Sequence, residues 1–220
     1  MKPIDPTQGP RAGTFQFFKD FDNPYFNLCG WLDSTQLTAM CHDQNMGLSL
    51  PLFFLNLKAA NAVAEFKQRF VGDQVVECQT IHGGSTVLLA DQSFGFCYFD
   101  FHSDFRVFEQ QARICFDQAK AKAEFDPQDD RYDLIHFSVI PWFAFTSISH
   151  ARRWRTRDSI PKITLGKNSE VGSGYQLPIS VEVHHALMDG YHVGQFLEQL
   201  QRFIWEPSAH FASPAQNEEK

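Results

Sequence analysis

The sequence predicts an α/β protein: a two-layer sandwich in which helices pack on one face of a mixed, mostly antiparallel sheet. Short alternating runs separated by Gly and Asp turn signals recur between residues 75 and 101 and again between 135 and 185. Segments with helical apolar spacing lie among them, notably from Ser49, from Phe105 and after Asp189. The two kinds of run are intermixed without a βαβαβ rhythm, a phosphate-binding Gly loop or a repeat of solenoid period. A chain of 220 residues can bury such a core as one domain. The expected organisation is a single domain over 1–220, with an extended arm at 1–13 and a frayed polar tail at 207–220.

Taken in order, the Pro- and Gly-rich lead gives way to a Phe-dense segment, Phe15 to Phe26, carrying the turn Asp22-Asn23-Pro24. Leu28 to Leu32 reads as a short strand, and Asp33-Ser34-Thr35 offers an N-cap for a helix from about Gln36. The next helix starts at Ser49-Leu50-Pro51, with Pro in the first turn and Phe53, Phe54, Leu57, Ala60 and Ala64 on one side. Val75-Val76, Thr86 to Ala90 and Phe94 to Phe101 read as strands, separated by Gly83-Gly84 and Asp91-Gln92. Phe105 to Ala123 is helical, and Asp126 to Asp133 is an acidic loop. Ile135 to Phe145 is a strand interrupted at Pro141, which has no N–H to give to a ladder. Pro161 to Leu165 and Gln176 to His185 supply the last strands before a terminal helix.

Composition narrows the function. A net charge of -7 leaves no basic footprint, and the run Arg152 to Arg157 is short and isolated, so nucleic acid is not expected as a ligand. The five cysteines are odd in number and form no Cys-x-x-Cys pair, which points to reduced thiols in a cytoplasmic protein without a structural zinc. No apolar signal region opens the chain and no run is long enough to span a membrane. The 23 Phe suit an apolar cavity as well as a core.

One stretch concentrates the chemistry: Val181-Glu-Val-His-His-Ala-Leu-Met-Asp-Gly-Tyr-His192. Strand alternation places Ile179, Val181, Val183 and His185 on one face and Ser180, Glu182 and His184 on the other. Asp189-Gly190 then ends the strand, and Val193, Phe196, Leu197, Leu200, Phe203 and Ile204 form a helical stripe. An inward histidine at a strand end can be buried and oriented yet still reach a pocket. It can equally be a hydrogen-bonded core residue. A metal shared by His184 and His185 fits poorly, because strand neighbours point to opposite faces. Asp189 reads either as a general acid/base or as a buried carboxylate, which would need an Arg from elsewhere.

His184-His185-Ala-Leu-Met-Asp189-Gly190-Tyr-His192 resembles the active-site signature of the chloramphenicol acetyltransferases, His-His-Ala-Val-Cys-Asp-Gly-Phe-His. Three further stretches agree with that family in order and spacing. They are Pro141-Trp142 through Phe145-Thr146-Ser147, Pro161-Lys-Ile-Thr164-Leu-Gly-Lys167, and Cys97-Tyr98-Phe-Asp-Phe101-His102. The resemblance runs from about residue 11 to the terminal helix. The opening Trp-x-Arg-x-Glu-x-Phe of the family is degraded here: an ungapped count leaves Arg11 and Phe15 in place, with Gly9 and Gly13 at the Trp and Glu positions.

The resemblance implies an acetyl-CoA-dependent O-acetyltransferase that acts on chloramphenicol and confers resistance. His185 would be the general base, Ser147 the hydroxyl that stabilises the oxyanion, and Thr164 the residue that positions a water near it. Asp189 would be a structural carboxylate paired with Arg11, and Lys167 would lie near CoA. No metal enters this chemistry, and the family implies a homotrimer with sites at subunit interfaces. Phe101, Tyr98, Phe108 and Phe143 are candidates for lining the pocket. Two other readings stand beside it: an acetyltransferase of the same fold with another small acceptor, and a non-catalytic trimeric binding protein. An acyltransferase core like those of the lipoyl-dependent dehydrogenase complexes shares the fold and a His-x-x-x-Asp-Gly motif, but is normally joined to lipoyl and linker domains.

Overall fold

A computed structural model describes residues 1–122, 125–127, 130–152 and 157–211. The chain runs β1 (Lys2–Ile4), α1 (Ala12–Phe18), β2 (Tyr25–Asp33), α2 (Thr35–Asp43), α3 (Ser49–Asn61), a 3₁₀ turn (Ala64–Lys67), β3 (Gln68–Val71), β4 (Gln74–Glu77) and β5 (His82–Leu88). It continues with β6 (Phe94–Phe99), α4 (Phe105–Lys122), β7 (Leu134–Val139), β8 (Lys162–Leu165), β9 (Ser169–Val171), β10 (Gly174–His184), α5 (Gly190–Trp205) and α6 (Ser208–Phe211).

The main sheet has the order β2-β10-β8-β7-β5-β6, with β9 paired to β10. β7 is parallel to both β5 and β8, while the other pairings are antiparallel, so the sheet is mixed. A smaller antiparallel sheet, β1-β4-β3, stands apart from it; only its central strand, through Val75-Val76, is expected from sequence.

One face of the main sheet is apolar. Ile163, Leu165, Ile179, Val181 and Val183 bury against Phe53 and Leu57 of α3 and Phe196 and Leu200 of α5. The Phe load is largely spent here: Phe53 meets Phe99, Phe116 and Phe137 at ring separations of 5.3, 6.1 and 4.9 Å. The opposite face is polar and buried as well. Thr164, Ser180, Glu182 and His184 project from β8 and β10 and are at most 6% exposed. The chain between β7 and β8 covers them, with Ile148 O accepting from Asn27 Nδ2 at 2.6 Å and Asp158 O accepting from the Tyr25 hydroxyl at 2.7 Å.

Several boundaries differ from expectation. The arm is extended only at β1, which pairs with β4; Ala12–Phe18 is helical, because Phe15 buries against Phe70 and Arg11 is tied to the Asp189 turn. Gly83 and Gly84 do not mark a break between strands but lie within β5. A Cβ on Gly83 would fall inside the envelope of the Phe99 ring on β6, so a side chain there is excluded by close approach. β7 ends at Val139, before Pro141. The tail is not frayed at its start: α6 brings Phe211 onto Phe105 and Phe54, with ring separations of 4.3 and 5.7 Å. Residues 212–220 of that tail, 153–156 of the basic run, 128–129 of the acidic loop and the last residue expected in α4, 123, lie outside the described residues.

Candidate active site

β10 ends at His184, and the backbone N–H of His185 donates to Pro24 O at 2.7 Å. The chain then turns, with the amides of Leu187 and Met188 donating to His184 O. Asp189 caps α5: its carboxylate accepts from Tyr191 N, while its own N–H donates to His192 Nδ1. Arg11 holds this turn through three donors at 3.2 Å each. Nε reaches Asp189 Oδ2, Nη1 reaches Ala186 O and Nη2 reaches His185 O. Burial alone would raise the Asp189 pKa, but His192, the hydrogen bond and charge of Arg11, and the Tyr191 amide outweigh it and hold the carboxyl below its usual range.

The His185 ring lies almost parallel to Phe18, with centroids 3.9 Å apart and planes at 9°, and tilts against Phe26 at 4.6 Å. Its Nδ1 is buried and has no hydrogen-bond partner among the described residues. The ring therefore stands at the margin of the core, in a slot of two Phe, rather than among the valines of β10. Phe18 and Phe26 escape a reading of the sequence, since neither helical nor strand periodicity relates them to His185. Of the four aromatics expected to line a pocket, Phe101 packs on Phe54 and Phe108 is core, while Phe143 is exposed on the loop after β7. The fourth, Tyr98, packs over Gly84.

His184 has different surroundings. It is 2% exposed between the Tyr25 and Phe70 rings, and its Nδ1 accepts from Ala186 N. Burial, reinforced by the charge of Arg152, pushes its pKa down to about 4. Among the described residues no group of three His, Cys, Asp or Glu could hold a metal.

Thr164 is fully buried in β8, with Oγ1 3.1 Å from His150 Nε2. Ser147 is exposed on the loop that follows Phe145, and Lys167 is exposed just beyond β8, its backbone N–H donating to Phe143 O. So the fold gathers Arg11, His185 and Asp189 into one cluster. Among the described residues of a single chain, no hydrogen bond joins His185 to Ser147 or Thr164.

An ion-pair network on the polar face is not expected from the sequence patterns. Arg152, one end of the short, isolated basic run, has a side chain only 4% exposed. It donates to Glu182 at 2.8 Å and Asp158 at 2.6 Å and lies 4.2 Å from the centre of the Tyr25 ring. Strand alternation gives Glu182 the face opposite the valines, and only the burial of that face in the fold shows that this carboxylate needs a cation.

Residues 1–201 match the chloramphenicol acetyltransferase family. The chain belongs to that family. A chloramphenicol acetyltransferase of Klebsiella sp is 25% identical over 212 residues, covering 94% of this chain and 95% of the relative. One of Proteus mirabilis is 23% identical over 92% of this chain and 94% of its own length. A solved chloramphenicol acetyltransferase superposes with a TM-score of 0.81 at 26% identity, over 92% of this chain and 99% of that one. The dihydrolipoamide acetyltransferase of Azotobacter vinelandii shares the fold, with a TM-score of 0.68 at 13% identity. Membership makes this chain an acyltransferase whose family implies CoA as a co-substrate.

Proposed function

We propose that the protein is an acetyl-CoA-dependent O-acetyltransferase that transfers acetyl to a hydroxyl of chloramphenicol in a ternary complex, with His185 as general base. The observation that carries this is the clamped histidine: Arg11 and Asp189 fix the backbone of its turn, while Phe18 and Phe26 fix its ring. Such pre-organisation suits a base that must meet one hydroxyl in one orientation.

In this reading His185 Nε2, opposite the buried Nδ1, takes the proton of the acceptor hydroxyl as its oxygen bonds to the thioester carbonyl carbon. The negative charge moves to the carbonyl oxygen, where Ser147 donates and Thr164 holds a water. When the C–S bond breaks, the imidazolium returns its proton to the CoA thiolate. No acyl-enzyme forms, so Ser147 donates a hydrogen bond and is not a nucleophile. Lys167, an exposed cation, lies beside bound CoA.

The chain works as a single acetyltransferase domain over 1–220, in a homotrimer with sites at subunit interfaces. What supports this is that among the described residues of one chain no hydrogen bond joins His185 to Ser147 or Thr164, so a neighbouring copy can supply those groups. Among the described residues no helix is long and apolar enough to cross a membrane. Action in the cytoplasm as a resistance enzyme accords with that and with the free cysteines.

The test is thiol release from acetyl-CoA with and without chloramphenicol, for the wild type and His185→Ala. Release that requires the drug and falls by about 10²- to 10⁴-fold in the variant is the expected result. A folded wild type with no drug-dependent release would mean that the acceptor is another molecule.

A further inference from the structure

The chain that carries Ser147 is fastened across the polar face of the main sheet. Asn27 of β2 donates to Ile148 O at 2.6 Å, Lys162 of β8 donates to Ala151 O at 2.9 Å, and Arg152 pairs with Glu182 of β10 at 2.8 Å. Between these anchors, three residues after Ser147, His150 places Nε2 3.1 Å from the buried hydroxyl of Thr164. Through this contact the His150 side chain joins the strap to a residue assigned to the reaction.

We propose that His150 is a positioning residue: its imidazole holds the Thr164 hydroxyl in one orientation and ties the Ser147 segment to β8, so that the two hydroxyls act from one rigid unit. This rests on the roles given above to Ser147 and Thr164. A threonine hydroxyl has one proton to donate and two sites that accept, and without a partner it rotates. With Nε2–H donating to Oγ1, the hydroxyl proton stays free for the water that Thr164 is assigned to hold. The imidazole is kept neutral for this, since burial lowers its pKa, and Lys162 and Arg152 push the same way against the opposing pull of Glu182.

A purely structural latch and a positioning residue differ in what they change. We would measure kcat, both KM values and thermal stability, with acetyl-CoA and chloramphenicol as substrates, for His150→Leu, His150→Gln, Thr164→Val and the Leu/Val double variant. His150→Leu is expected to lower kcat by about ten- to a hundredfold while both KM values stay within about twofold. His150→Gln, whose amide nitrogen can occupy the place of Nε2, should restore most of that loss. The double variant should be no slower than the slower single variant, because each breaks the same contact. Should Leu disturb the fold, His150→Asn, whose amide is too short to reach, poses the same question. Wild-type kcat in His150→Leu, or losses that multiply in the double variant, would overturn the proposal while leaving the role of Thr164 standing. Wild-type kcat in Thr164→Val would remove that role, and the proposal with it.

Discussion

Arg11 Nε lies 3.2 Å from Asp189 Oδ2, joining residues 178 positions apart. The same guanidinium holds the carbonyls of His185 and Ala186, so one side chain sets both the capping carboxylate and the backbone of the histidine. The pair is partly exposed, with side chains 21% and 33% accessible, and solvent weakens it relative to a buried one. Asp189→Asn should therefore cost about 1–2 kcal/mol in urea denaturation, yet reduce kcat/KM by more than that loss of stability explains. Equal activity in wild type and Asp189→Asn would separate the clamp from catalysis.

Arg152 and Glu182 are a stronger pair energetically. Their side chains are 4% and 8% exposed; removing Arg152 leaves Glu182 as an uncompensated buried charge, whereas removing Glu182 leaves Arg152 still paired with Asp158. Arg152→Met should destabilise the fold by about 3–5 kcal/mol, and Glu182→Gln by less, because Arg152 keeps Asp158. Chemical denaturation would read this directly, and a change below about 1 kcal/mol would show that the network is better solvated than its burial indicates.

Acid should unfold the protein through buried imidazoles before its carboxylates protonate. Burial, aided by neighbouring cations, brings His136 and His184 from the ordinary value of 6.5 to about 4. Between those values the unfolded chain binds protons that the folded chain refuses. Their stabilisation is therefore complete above about pH 6.5 and is lost as pH falls toward 4. Each contributes about 1–2 kcal/mol of destabilisation by pH 5. Asp158 and Asp189, held below the carboxylate range, add their loss at still lower pH. Urea midpoints at pH 7.5 and pH 5 would show the slope, and His184→Gln should flatten it.

Gly83→Ala tests the close approach of β5 and β6. The added methyl would meet the Phe99 ring, which is itself packed against Phe53 and Phe137. Overpacking of this kind should cost about 1–3 kcal/mol. An unchanged melting temperature would mean that the ring can shift within its aromatic cluster.

Much of the fold is legible because its signals are local. Helical spacing in α3, α4 and α5 and strand alternation in β10 follow from the geometry of one segment's backbone, whatever it packs against. Gly83 misleads for the opposite reason. A glycine signals a turn by its own freedom, but its place inside β5 is imposed by a ring on the neighbouring strand. Phe211 falls in a tail that composition marks as frayed, and only its contact with Phe105 shows that the chain is still ordered there.

The sequence by itself determined the main helices and most strands of the large sheet, the strand–turn–helix that carries His185 and Asp189, and, through its motifs, the acyltransferase family. Those depend on residue types at short, fixed separations. Tertiary structure alone decided that Phe18 and Phe26 enclose His185, that Arg152 is buried against Glu182, and that His150 touches Thr164. Each of these is a meeting of distant segments, and its partner is chosen by how the chain crosses the sheet. A buried charge or hydroxyl announces in sequence that it needs a partner, because leaving it unpaired is costly, but not which partner the fold will bring.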